Sequence, residues 1–146
     1  MTVDEARARL EAQLTGLTEA LVAGAPMPAG FDGRLFTVAR SSLLNKRAGE
    51  VAHTWPRLAA ALGPRWRPAF REWAADRPPH GSLCDGFDFA RYLAVTGQLP
   101  DRAARAELAA REGYWRYDGD GPPKPRRLPA FARRWVGRVR TRILTS

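Results

Sequence analysis

The sequence predicts an all-α protein: a compact bundle of six to seven short helices with proline-fixed turns and a basic amphipathic C-terminal helix. Three observations lead there. The chain holds 25 Ala and 15 Leu against 7 Val and 1 Ile, so helix formers far outnumber β-branched strand formers. Apolar residues recur at three- and four-residue spacing, the period of a buried helix face. Pro56, Pro64, Pro78 and Pro79 punctuate that pattern at short intervals.

Each element follows from local chemistry. Thr2-Val3-Asp4-Glu5 reads as a capping box that starts a helix carrying Leu10, Leu14, Leu17 and Leu21 on one face and ending near Gly24. The Gly- and Pro-rich stretch 24–30 is a loop. Asp32 caps a second helix, with Phe31 and Phe36 placed as a hydrophobic staple and Leu44, Ala48, Val51 and Trp55 keeping the period. Pro56 redirects the chain into a short helix with Leu58 and Leu62, closed by Gly63 and Pro64. Trp66, Phe70 and Trp73 give the next helix an aromatic face. After the Pro78-Pro79-His80-Gly81 break, Ser82 is placed to cap a helix that buries Phe87, Phe89 and Leu93. Asp101 caps another, carrying Ala104, Leu108 and Trp115. Asp118 to Pro125 reads as a turn and a stiff extended linker. Leu128 to Leu144 is helical by pattern, its apolar residues spanning an arc of about 140°. Trp55, Trp66, Phe70 and Trp73 are the expected core, and Pro56, Pro64 and Pro78 set the angles between helices.

At 146 residues, 45% apolar and 27% charged, the chain is one domain's worth of ordinary globular composition. A collagen-like repeat, a disordered chain and a disulfide-dense mini-domain are excluded. No apolar run approaches 18 residues, and Thr2–Glu11 is acidic where a signal peptide would be apolar. The lone Cys84 cannot form an internal disulfide, so a cytoplasmic protein is expected.

No catalytic set emerges, and the expectation is a protein that is not an enzyme. His80, Cys84, Asp85 and Asp88 cluster in sequence, but one imidazole and one thiol without a second pair make a poor zinc site. Asp118-Gly-Asp-Gly lacks the closing Glu of a calcium loop. A Cys84–His53 pair remains open as a nucleophile and base, against a reading of His53 as a partly buried structural residue. Phosphate loops and dinucleotide fingerprints are missing from the sequence.

Charge carries more signal. Residues 1–112 hold 15 basic and 13 acidic side chains, whereas residues 113–146 hold 9 basic and 2 acidic. With 22 Arg to 2 Lys, arginine abundance reflects overall coding bias as much as binding, so its placement is what counts. Lys124, Arg126, Arg127, Arg133, Arg134, Arg138 and Arg140 form the candidate contact group for a partner or nucleic acid. Arg40, Lys46 and Arg47 form a secondary basic group, which a solvated helix face also explains. The terminal segment fits a nucleic-acid contact, a membrane-surface helix, or a helix packed on protein with its arginines in water.

From Phe31 to Tyr117 the chain resembles the N-terminal helical domain of the HvfC/BufC-type proteins, a family that has carried the label of DNA-binding domain. The resemblance lies in Phe31-Asp-Gly-Arg-Leu35, His53-Thr-Trp-Pro-Arg-Leu58, Leu62-Gly-Pro-Arg-Trp66, Phe70-Arg-Glu-Trp-Ala74, Pro78-Pro79, Gly86-Phe-Asp-Phe-Ala-Arg-Tyr-Leu93 and Leu108-Ala-Ala-Arg-Glu112. It implies a non-catalytic partner that recognises or presents a ribosomally made precursor peptide to a multinuclear non-haem iron oxidase. On that reading this chain needs no cofactor, because the iron belongs to the oxidase. The alternative is a helical nucleic-acid-binding domain that uses the basic C-terminal segment. The expected organisation is an amphipathic helix at 1–24, the family-like domain at 31–117, a Pro/Gly-rich basic linker at 118–127 and a basic helix at 128–146. The leucine-striped first helix and the basic end depart from the family pattern.

Overall fold

The computed structural model describes residues 1–127. They are mostly helical, in the order α1 (Val3–Ala23), α2 (Gly33–Thr54), α3 (Pro56–Leu62), α4 (Trp66–Ala74), α5 (Ser82–Val95) and α6 (Arg102–Tyr114). A two-stranded antiparallel ladder follows, β1 (Trp115–Arg116) with β2 (Lys124–Pro125). Among the described residues, no helix is long and apolar enough to cross a membrane. The terminal helix expected at 128–146 lies outside the described residues.

Caps set the helix limits. The Thr2–Glu5 capping box is formed: Thr2 N donates to Glu5 Oε2 at 2.8 Å and Glu5 N to Thr2 Oγ1 at 3.3 Å. Gly24 ends α1 at φ +76°, where a side chain would also strike the carbonyl oxygen of Ala75. Asp32 accepts from Arg34 N and Leu35 N, and Asp101 accepts from Ala104 N. Ser82 was expected to cap α5, but Gly81 holds that position and Ser82 shares a hydrogen bond with Thr54 instead. The third helix takes its cap from a distance: with Pro56 at its first position, Leu58 N donates to Glu107 Oε2 of α6 at 2.7 Å.

The core lies where α4 and α5 meet α2, and α3 and α6 close one side. Phe89, with no exposed surface, is ringed by Trp66, Phe70 and Trp73 at centroid distances of 5.6, 5.3 and 5.3 Å. Edge-to-face and offset pairs of this kind add about 0.5–1.5 kcal/mol each beyond area burial. Trp66 donates its indole N–H to Ala48 O at 3.1 Å, so the ring is anchored as well as buried. Trp55 packs edge-on against Phe87 at 5.0 Å, and Arg111 covers its face at 4.4 Å. The four aromatics expected in the core are all there.

Several expectations need correction. The leucine stripe of α1 is covered only at its C-terminal end. Ala20 is buried and Leu17 and Leu21 are half-buried, but Leu10 and Leu14 are 56% and 53% exposed, because α1 reaches past its contact with α2. His53 is exposed rather than partly buried. Trp115 belongs to β1, not to α6, which ends one residue earlier. Within 118–127, the turn and extended linker of the sequence, the chain turns back, pairs Arg116 with Lys124 and Trp115 with Pro125, and donates Arg126 N to Tyr114 O at 2.8 Å.

Candidate functional site

The basic contact group starts on this ladder, so its geometry depends on how β1 and β2 are held. Tyr117, 6% exposed, is the anchor. Its hydroxyl donates to Asp88 Oδ2 of α5 at 2.9 Å, and its ring packs on Phe87 at 5.4 Å. Arg91 of α5 donates to Tyr117 O at 2.8 Å and to Glu112 Oε1 at 3.0 Å, lying across both Phe87 and Tyr117. From the other strand, Arg126 Nε donates to Glu112 O at 2.7 Å, satisfying a carbonyl near the end of α6. Two residues per strand make a marginal ladder on their own, and these tethers fix it to the body.

On that frame Lys124, Arg126 and Arg127 are exposed, as is Arg116 on the facing strand. Four cations therefore stand on one short hairpin whose return runs through Asp118 and Asp120. Sequence reasoning passed over Arg116 because α6 was extended through Trp115. The signal was present as the alternation Trp115-Arg116-Tyr117, half-buried, exposed and buried, directly before a Gly-rich turn. Arg133, Arg134, Arg138 and Arg140 lie outside the described residues.

The secondary basic group separates into three environments. Lys46 is exposed and lies 3.9 Å from Glu50. Arg40 reaches across to donate to Ala75 O at 2.6 Å. Arg47 is no surface cation: it is 8% exposed and bonded bidentately to Asp85, so it is removed from any contact role. Periodicity alone hid this, because the buried acceptor comes from α5, 38 residues further on.

Cys84 is 6% exposed, and its thiol is pushed up from the usual value of 9.0, first by burial, with the carboxylates of Asp88 and Asp85 adding to the rise and the neighbouring Tyr117 hydroxyl opposing it. A protonated, enclosed thiol is a poor nucleophile. His53 stands exposed on α2, and among the described residues no hydrogen bond joins it to Cys84. Asp85 and Asp88 are taken up by Arg47 and Tyr117, and no group of three or more His, Cys, Asp or Glu side chains gathers as a metal site among the described residues.

Comparison with known proteins places this framework. A protein of Streptomyces avermitilis named UPF0276 protein is 39% identical over 128 residues, covering 87% of this chain but 26% of the relative. The chain thus spans about a quarter of the length of the curated relative it matches. No solved structure matches. A family model described as SCO6045-like, C-terminal domain, matches residues 11–95, from the middle of α1 to the end of α5 and more than half of the chain. On that match, the chain belongs to the SCO6045-like C-terminal domain family.

Proposed function

We propose that this domain is a non-catalytic partner that recognises or presents a ribosomally made precursor peptide to a multinuclear iron-dependent oxidase. The observation that carries the reading is the hairpin: Arg116, Lys124 and Arg127 are exposed on a ladder that Arg126 helps to tether to the helical body. A fixed cationic edge suits acidic residues of an extended peptide, raising encounter rate and setting register. Arg133, Arg134, Arg138 and Arg140, on the proposed terminal helix, would extend the same charge. The S. avermitilis relative supports a role beside a larger body, since the matched stretch is 26% of that longer polypeptide. The motifs between Phe31 and Tyr117 that resemble the HvfC/BufC-type domain supply the class of partner.

Co-expression with a candidate oxidase and its precursor peptide tests this reading. Both should co-purify with the chain. Replacing Arg116, Lys124 and Arg127 together by Gln should weaken peptide binding and leave the helical body folded. The same basic hairpin also favours a second reading, a nucleic-acid contact. Binding of a duplex with a steep loss between low and physiological salt, alongside no peptide binding, would establish that reading instead.

A further inference from the structure

Among the described residues, nine of the twelve large apolar side chains left exposed lie at or before Leu43, and the other three are scattered over α5 and α6. Single exposed apolar residues are ordinary, but such a concentration is not. On α1 they are also ordered: at the helical period, Val3, Leu10, Leu14, Leu17 and Leu21 fall within an arc of about 60°. Val3 is 85% exposed, and exposure falls along the stripe to half-buried Leu17 and Leu21. There the stripe meets a groove of about 180 Å³ between α1 and α2, walled by Leu21, Val22, Leu43, Leu44 and Pro79. An apolar track thus runs the length of α1 and ends in a pocket.

A second observation bears on what lies against this track. The family to which the chain belongs is described as a C-terminal domain, and all but 26% of the S. avermitilis relative lies outside the matched stretch. A domain that follows a larger body is entered through its first helix, which brings α1 close to that body. A covalent connection also holds the two at high effective concentration, so a modest apolar contact is enough to close them together.

We propose that the α1 track, from Val3 to the groove at Leu21 and Leu43, is the surface on which the larger body of this family packs. The occupant is a folded polypeptide of the class that makes up the rest of the S. avermitilis relative. It lays an apolar ridge along Leu10 and Leu14 and seats one side chain against Leu43, Leu44 and Pro79. This deepens the partner reading and rests on it only for the presence of a larger body. It needs neither a peptide nor the cations of the hairpin.

The test grafts the full chain in place of the matched 128-residue stretch of the S. avermitilis relative and follows backbone hydrogen exchange. Amides from Val3 to Leu14 should exchange at least about tenfold more slowly in the graft than in the chain alone. Leu10→Gln with Leu14→Gln should abolish that slowing and leave the melting temperature of the chain alone close to parental, because both side chains are exposed. If the graft does not fold, the relative's body without its matched stretch, mixed with the full chain, gives the same readout. Replacing Arg116, Lys124 and Arg127 by Gln should leave the slowing intact, so failure of peptide binding and failure of this docking are separate results. Equal exchange in the graft and in the chain alone, or slowing that survives the leucine replacements, would overturn the proposal. So would protection of α1 by self-association of the chain alone, or a marked loss of stability on replacing the two leucines.

Discussion

Arg47 of α2 and Asp85 of α5 form a bidentate ion pair inside the protein, Nε to Oδ2 at 2.7 Å and Nη2 to Oδ1 at 2.9 Å, with 8% and 2% of the residues exposed. The remaining donors of Arg47 reach Arg77 O at 2.7 Å and Pro78 O at 3.2 Å, and Asp85 also accepts from His80 N. One pair therefore joins two helices and pins the Pro-Pro break between α4 and α5.

The pair should respond differently to single and to double replacement. Asp85→Ala leaves a buried guanidinium without its carboxylate and should cost about 3–5 kcal/mol, as should Arg47→Ala. The double variant Arg47→Met with Asp85→Leu removes both charges and should recover much of the loss. Urea unfolding of the three variants measures this. A single variant of parental stability would show that the pair is solvated.

Gly86 and Gly113 make a matched contrast. Both are helical, but a methyl group on Gly86 would overlap the Trp55 indole, whereas Gly113 has open space around it. Helix propensity favours alanine at both by up to about 1 kcal/mol. At Gly86 the steric clash decides the sign: Gly86→Ala should destabilise by about 1–3 kcal/mol. Gly113→Ala should be neutral or stabilising. Thermal unfolding of both variants checks the pair, and equal effects would contradict the close approach of α5 to Trp55.

How far this molecule could be read from sequence follows from the range of each interaction. The caps at Thr2, Asp32 and Asp101 and the glycine stop at Gly24 act within one turn, and each was legible. So was the Trp66, Phe70, Trp73 face, because its period announces burial. What was missed is long-range. The partner of Arg47 lies 38 residues away and the cap of Leu58 lies 49 residues away, and no local pattern marks either. The hairpin was missed for a third reason. Its strands are two residues long, too short for alternation to register against a strong preceding helix, and so Arg116 was not joined to Lys124. The leucine stripe of α1 announced a buried face, but periodicity does not tell how far the neighbouring helix extends.

The distant cap of α3 gives a further prediction. Glu107 is 7% exposed, accepts from Leu58 N and is held by Arg111 at 3.5 Å. Glu107→Ala strips the N-terminus of α3 of its acceptor and leaves a buried amide unpaired, a loss of about 1–3 kcal/mol. Hydrogen exchange should then accelerate at Leu58 and the first turn of α3 before it does in α4. Uniform acceleration across the chain would argue against a local capping role.

Alkaline pH should weaken the fold through Tyr117 and Cys84. The Tyr117 hydroxyl is pushed well above its ordinary value of 10.0, first by burial and then by its hydrogen bond to Asp88 and that residue's charge, and Cys84 is raised above 9.0 chiefly by burial. Both groups hold their protons longer folded than unfolded. Their contribution is therefore fully present below pH 9 and is lost as pH climbs, because the unfolded chain ionises first and binds fewer protons. Each fully ionising group can tilt stability by about 1.4 kcal/mol per pH unit in that window. Urea unfolding at pH 8, 9.5 and 11 should show falling stability. Tyr117→Phe, which removes the ionising hydroxyl together with the Asp88 bond, should be less stable at pH 8 and show a shallower decline above pH 10. An unchanged slope in that variant would mean that Tyr117 ionises as freely in the native protein as in the unfolded chain, and that the hairpin is not held by a buried phenol.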